Sequence, residues 1–277
     1  MTEPADAPRT PQPRRRSRDQ AARRARLARD KAAGPTRVRA ARPPVATGVL
    51  LARRASKSYS DLVALAPLDL AVAPGERVAL VGHNGSGKST FLRLAAGLLE
   101  LTSGAIEVAG YPVGAPEARA ALSFVPDNPV LYDDLSVREH LAYIASLHGV
   151  DDSEEQLNEL IAAIGLADRA DDLPARFSRG LRQKAALAVG LVRPFQVLLV
   201  DEPFVGLDVP GREALLRLLD EAHAAGAAIV VATHEPSYVE RVDRCLALRD
   251  GRLIHDGPTT PDEVVRLVGD QAYAPGA

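Results

Sequence analysis

Residues 82–90 read Gly82-His83-Asn84-Gly85-Ser86-Gly87-Lys88-Ser89-Thr90. Gly82, Gly87, Lys88 and Ser89 fit the spacing of a phosphate-binding loop, G-x-x-x-x-G-K-[ST]. The preceding Arg77-Val78-Ala79-Leu80-Val81 reads as a short buried strand. From Lys88 to Leu99 apolar residues recur at helical spacing, so the motif lies between strand and helix as its chemistry requires. The glycines allow a tight turn in which successive N–H groups, from His83 through Asn84, Gly85 and Ser86 to Thr90, face a polyphosphate. The new helix adds its free N–H groups and positive dipole end. Lys88 is expected to reach the β- and γ-phosphates, and the Ser89 hydroxyl to ligate Mg²⁺.

Around this loop the chain has the composition of a soluble globular protein. Its 277 residues suffice for one large domain or two modest ones, and it is 46% hydrophobic and 25% charged. The single Cys245 excludes an intramolecular disulfide framework and suits a core position in a reducing cytoplasm. No apolar run reaches the roughly 18 residues a membrane helix needs, and the basic N-terminus lacks the apolar stretch of a secretory signal. The net charge of -2 conceals an asymmetry: residues 1–44 hold 13 Arg/Lys and 4 Asp/Glu, or +9, leaving -11 for the remainder. Residues 1–46 are too poor in apolar side chains to build a core and read as a disordered basic tail. Such a tail suits solubilisation, and anionic lipid or nucleic acid are its candidate contacts.

Downstream, strands are expected at 48–58 and 68–73, with Ser58-Tyr59-Ser60 between them, Val63, Leu65, Leu68 and Leu70 alternating towards Val72 as edge strands do, and Pro74-Gly75-Glu76 turning into the loop strand. A turn and short strand follow at 101–111, then helices at 135–148 and 153–165, which suggest an inserted helical layer before Pro174. Helix 180–192 precedes the buried strand Val197-Leu198-Leu199-Val200. Helix 210–225, strand 227–232, a short helix after Pro236, strand 245–248 and an Asp250-Gly251 hairpin complete the pattern. This alternation predicts an α/β domain on a largely parallel sheet.

Asp201 ends the strand at 197–200, where a carboxylate can hold hydrated Mg²⁺ beside Ser89. Glu202 points differently and can act as base for an attacking water. With these residues in place, the stretch Phe177-Ser178-Arg179-Gly180-Leu181-Arg182-Gln183 resembles the signature of the nucleotide-binding subunit of ABC transporters. Ser178 lies 23 residues before Asp201; it and Gly180 keep the common Leu-Ser-Gly-Gly-Gln form. Arg179 and Leu181 depart from it in the manner of the drug and multidrug exporter branch.

The resemblance covers roughly 48–258. It implies a P-loop NTPase core with a largely parallel sheet, an antiparallel β subdomain and an inserted helical subdomain at about 128–180. The ATPase domain would span 47–258, with a short helix and tail over 259–277. Tyr59, 23 residues before Gly82, would stack on adenine. Ser178 and Gly180 would reach ATP held by a second subunit, and Asp208, in Gly206-Leu207-Asp208, would cross that interface. His234 would bind the γ-phosphate and orient water with Glu202 and Lys88 as the catalytic set. Asp127 stands where the family usually has Gln; a carboxylate suits Mg²⁺, so Ser89, Asp201 and Asp127 form the expected metal set. The resemblance further implies ATP and Mg²⁺ as cofactors, a second ATPase subunit, and a separate transmembrane permease at the cytoplasmic face of the membrane. The alternative is a soluble ABC-type ATPase acting on nucleic acid or ribosomes. The basic tail favours that reading; the 89 residues from Ser89 to Ser178 oppose it, leaving no room for a long coiled coil.

Overall fold

The computed structural model describes residues 48–150 and 154–269. The expected basic tail, its lipid contact and the last eight residues lie outside the described part. β1 (Leu50–Tyr59) and β2 (Leu62–Val72) form an antiparallel hairpin in which Leu50 faces Val72 and Tyr59 faces Leu62. β2 therefore starts six residues earlier than the expected strand at 68. Its first half is stabilised by pairing with β1, and the turn is made by Ser60 at φ 50°. β3 (Arg77–Val81) leads into α1 (Lys88–Ala95). α1 ends four residues short of the expected Leu99: Gly97 is left-handed at φ 70°, and Leu98 N–H bonds back to the Arg93 carbonyl, a Schellman closure.

β4 (Ser103–Val108) pairs with β1, and β5 (Tyr111–Pro112) with β4. α2 (Pro116–Ala121), absent from the sequence reading, runs directly into β6 (Leu122–Val125). At six residues it is too short for apolar periodicity to show; its proline at the first turn is the remaining signal. α3 (Val137–Leu147) opens on a Ser136/Glu139 capping box, and α4 (Glu154–Ala163) follows. α5 (Arg179–Leu191), β7 (Val197–Asp201), α6 (Val209–Ala224) and β8 (Ala228–Thr233) come next. The short helix after Pro236 is 3₁₀, over Pro236–Arg241. β9 (Arg244–Arg249), β10 (Arg252–Gly257) and α7 (Pro261–Gly269) end the described chain.

Two sheets result. The first, β2-β1-β4-β5, is antiparallel. The second has the order β10-β9-β3-β8-β7-β6, parallel throughout except for β10. Residue alternation in the parallel strands decides the layering. Ala79, Val81, Leu198, Val200, Ile229 and Val231 join one buried cluster with Leu141, Ile161 and Leu187 of the helical layer. Val78, Leu80, Val197, Leu199 and Val230 join another with Phe91 of α1 and Leu50 and Leu70 of the antiparallel sheet. Successive strand side chains face opposite ways, so a sheet covered on both faces reads as a continuous apolar run. Each fully buried Leu, Val or Phe contributes about 1.5–3 kcal/mol of transfer free energy. The sheet is thus fixed from both sides, and its C-terminal strand ends are held rigidly.

Candidate functional site

The carboxyl ends of β3, β7 and β8 converge, and the loop after β3 is built for close backbone approach. A side chain at Gly82 would collide with the Ser86 hydroxyl and the Leu248 carbonyl. Gly87, at φ 106°, would place a Cβ 2.9 Å from the Ala64 carbonyl. The β9–β10 hairpin braces the loop: Gly251 N–H bonds the Ser86 carbonyl at 3.0 Å, and Ala66 N–H bonds the Gly251 carbonyl at 2.8 Å. α3, α5 and α6 carry side-chain caps from Ser136, Ser178 and Asp208. α1 has no side-chain cap and no acid in its first turn, so its N–H groups stay open to an external anion. Lys88 is buried, with Nζ bonding the carbonyls of Gly82 at 2.8 Å and His83 at 3.3 Å. Asn84, Gly85, Ser86, Gly87, Lys88, Ser89 and Thr90 line one open cleft of about 390 Å³ together with Asp127 and Glu202. His83 turns aside, its Nδ1 against the Asn84 carbonyl at 2.7 Å and its Nε2 3.5 Å from Asp250.

Asp201 is 1% exposed at the end of β7. Burial raises its pKa above the usual carboxylate range, opposed by a hydrogen bond with Ser89. Its Oδ1 has no hydrogen-bond partner among the described residues. A buried oxygen of this kind beside a hydroxyl is a donor set suited to Mg²⁺, which commonly takes one or two protein oxygens and fills its shell with phosphate and water. Among the described residues no three His, Cys, Asp or Glu side chains converge as a self-sufficient cation cage.

Glu202, one residue on, has the left-handed φ of 47°. For a non-glycine residue this costs on the order of 1–3 kcal/mol and is held by surrounding structure; Glu202 N–H bonds the Ala232 carbonyl of β8 at 2.8 Å. The twist aims the carboxylate between two functional groups. Oε1 lies 3.4 Å from Lys88 Nζ, and Oε2 lies 2.8 Å from His234 Nδ1 and 3.3 Å from its backbone N–H.

The signature residues stand on a different element. Ser178 caps α5 through the Leu181 N–H at 3.3 Å. A Cβ on Gly180 would collide with the Gly206 carbonyl, so the helix start packs against the loop before Asp208. Asp208 caps α6 through Gly211 N–H at 3.1 Å and pairs with Lys184 Nζ at 2.8 Å. The Lys184 hydrogen bond holds the Asp208 carboxyl below its ordinary range. None of Ser178, Gly180 and Asp208 is among the described residues that line the cleft. Asp127 does line it, but its oxygens are engaged by Arg179 Nη2 at 2.7 Å and Asn128 Nδ2 at 3.0 Å rather than by Ser89 or Asp201.

Sequence reading missed several contributors. Leu62, Val63 and Ala64 form the apolar wall of the cleft, whereas Tyr59, 48% exposed, holds the Lys57 ammonium 5.0 Å above its ring. Alternation had marked Val63 as a strand residue, with nothing to tell its outer face from a ligand wall. Asp250 also reaches the cleft, by way of the hairpin. Arg212 of α6 makes a two-point ion pair with Glu235, which fixes the segment after His234. Arg212 and Glu235 are 23 residues apart, and no local signal joins them.

Residues 65–205 match the family model described as ABC transporter. The chain is 33% identical over 226 residues to the SkfA peptide export ATP-binding protein SkfE of Bacillus subtilis, covering 78% of this chain and 95% of that one. It is also 33% identical over 219 residues to the macrolide export ATP-binding/permease protein MacB of Rhodopseudomonas palustris, covering 76% of this chain and 33% of MacB. A solved ATP-binding subunit of an ABC transporter superposes with a TM-score of 0.71 at 34% identity, covering 81% of this chain and 95% of the other. Taken with an open phosphate cradle, a buried acid beside a serine hydroxyl and a strained glutamate beside a histidine, these likenesses place the chain in the ABC transporter family, as one of its ATP-binding, ATP-hydrolysing members.

Proposed function

We propose that the chain energises export through a separate permease, hydrolysing ATP in a head-to-tail pair of ATPase subunits at the cytoplasmic face of a membrane. The observation that carries the reading is Glu202, held by its backbone in a strained conformation between Lys88 and His234. Glu202 pairs with the Lys88 ammonium at 3.4 Å. When the γ-phosphate takes Lys88, Glu202 is freed to accept a proton from the attacking water. His234 keeps Glu202 aimed through Nδ1, and its other nitrogen would be left to meet the phosphate and the water. The loop amides and the start of α1 bind the phosphate chain. Mg²⁺ held by Ser89 and Asp201 would neutralise charge on the phosphate oxygens. Ser178 and Gly180 would complete the site from the second subunit, because they stand outside the cleft of their own chain.

Among the described residues no helix is long and apolar enough to cross a membrane. In MacB, which carries both ATP-binding and permease in its name, the match covers one third of the length; in SkfE, named only as an ATP-binding protein, it covers 95%. A separate permease follows the second pattern. It would dock where Val130, 96% exposed, and Ile144 line a groove of about 260 Å³ between β6, α3 and α5. The relatives named above are export proteins, and the alternative of action on nucleic acid or ribosomes draws no support from them.

Glu202→Gln tests the reading. Phosphate release should fall at least about a hundredfold, with ATP-dependent dimer accumulating on light scattering. Hydrolysis at the parent rate would remove Glu202 from the role of base. Purification from detergent-solubilised membranes should recover a multi-spanning partner; recovery of nucleic acid alone would reverse the assignment.

A further inference from the structure

Arg179 breaks a local rule. As the first residue of α5 it places a cation at the positive end of a helix dipole, with exposed Arg182 on the same turn and no acid in that turn. α3, α4 and α7 instead open with Glu139, with Glu154 and Glu155, and with Asp262 and Glu263. The cation does not strengthen its helix, and it is not buried for packing, since its side chain is 57% exposed. It is instead paired with Asp127, a residue of the nucleotide cleft lying 52 positions away in sequence. This one ion pair ties the cleft of the chain to the signature helix that should serve another chain's cleft.

We infer that Arg179 is a phosphate-contacting residue of the second subunit's ATP site, and that the Asp127 carboxylate holds its place while that subunit is absent. The inference rests on the dimer reading given above. Arg179 adjoins Ser178, so whatever anion meets the Ser178 hydroxyl and the start of α5 comes within reach of the guanidinium. A phosphate offers it more charge than the carboxylate and the same forked geometry. The exchange is cheap to begin, because an ion pair exposed at 57% and 30% contributes little in water. Once Arg179 leaves, Asp127 is released inside its own cleft. Closure on one side is thereby reported to the nucleotide on the other.

The test uses the Glu202→Gln chain, with light scattering to read the ATP concentration that gives half-maximal dimer. EDTA is present so that any metal role of Asp127 does not enter. Adding Arg179→Met should raise that concentration about tenfold or more, and Arg179→Lys should recover part of the loss. Adding Asp127→Asn should lower it about two- to fivefold, by freeing the guanidinium. The double variant should behave as Arg179→Met. Binding of a fluorescent ATP analogue to dilute monomer should be the same in Asp127→Asn and in the double variant, which both lack the Asp127 charge in the cleft and differ only at Arg179. Dimerisation of Arg179→Met at the parent concentration would overturn the inference. So would a shift of Arg179→Met and Asp127→Asn in the same direction, which would make the pair a plain structural tie. If the Glu202→Gln parent itself forms no ATP-dependent dimer, the dimer reading falls and takes this inference with it; if the parent dimerises and the variants do not differ, only the inference fails.

Discussion

The two groups of site residues differ in how they are held. The phosphate loop, Asp201, Glu202 and His234 grow from adjacent parallel strands whose both faces are buried, and their side chains already touch. Ser178, Arg179 and Gly180 sit on a helix start, held by a cap, one exposed ion pair and one close backbone approach. The first group is joined side chain to side chain within one cradle. The second stands outside that cleft, on an exposed helix start. Rigid strand ends place charge to fractions of an ångström, as proton transfer demands. A weakly tethered helix start can engage and release, as a cycle of binding and hydrolysis demands.

Substitutions can break this contrast at either end. Lys88→Met strikes the cradle and should have the largest effect. It removes the buried ammonium that serves Gly82, His83 and Glu202. ATP affinity in dilute monomer should collapse and phosphate release fall by about two to three orders of magnitude. Retained monomer affinity would show that the loop amides suffice alone.

Gly180→Ala strikes the other end and should do less. Its new methyl meets the Gly206 carbonyl, so helix start and loop must part. Overpacking of this kind costs on the order of 1–3 kcal/mol. Phosphate release should drop about tenfold at unchanged monomer affinity for ATP. Loss of monomer affinity would mean that the two groups are not separable.

The smallest effect is expected at Asp208, and it depends on pH. Lys184 depresses the folded-state pKa of Asp208. The unfolded chain therefore binds the proton more readily, and the stabilisation is fully present above the ordinary aspartate pKa of about 4. It is lost as pH falls through the lowered folded value. Asp208→Asn should melt slightly below the parent at neutral pH, and the gap should close on acidification below about pH 4. A gap that widened on acidification would reverse the assigned sign.

Much of the cradle could be read in advance because its chemistry is local. Gly82 to Thr90 is one loop, and Asp201 and Glu202 are adjacent; a buried strand before each and a helix after the first identify their places. The layering could be read as well, since continuous apolar strands have one stable arrangement, between two covering layers. Where the reading failed, the deciding energy was not local. The start of β2 at Leu62 is set by pairing with Tyr59 of β1, and α2 is too short to nucleate from its own sequence.

The sequence by itself determined the phosphate loop, the two adjacent acids at the end of β7, and the likeness of Ser178 and Gly180 to the ABC signature. Only the tertiary structure decided what those side chains touch. It placed Glu202 between Lys88 and His234, left one oxygen of Asp201 without a partner among the described residues, and tied Arg212 to Glu235. It also gave Asp127 to Arg179 across 52 residues. Spacing along a chain records which groups one turn of backbone can bring together. Contacts between separate strands and helices are set by how the sheet packs, and no local pattern carries them.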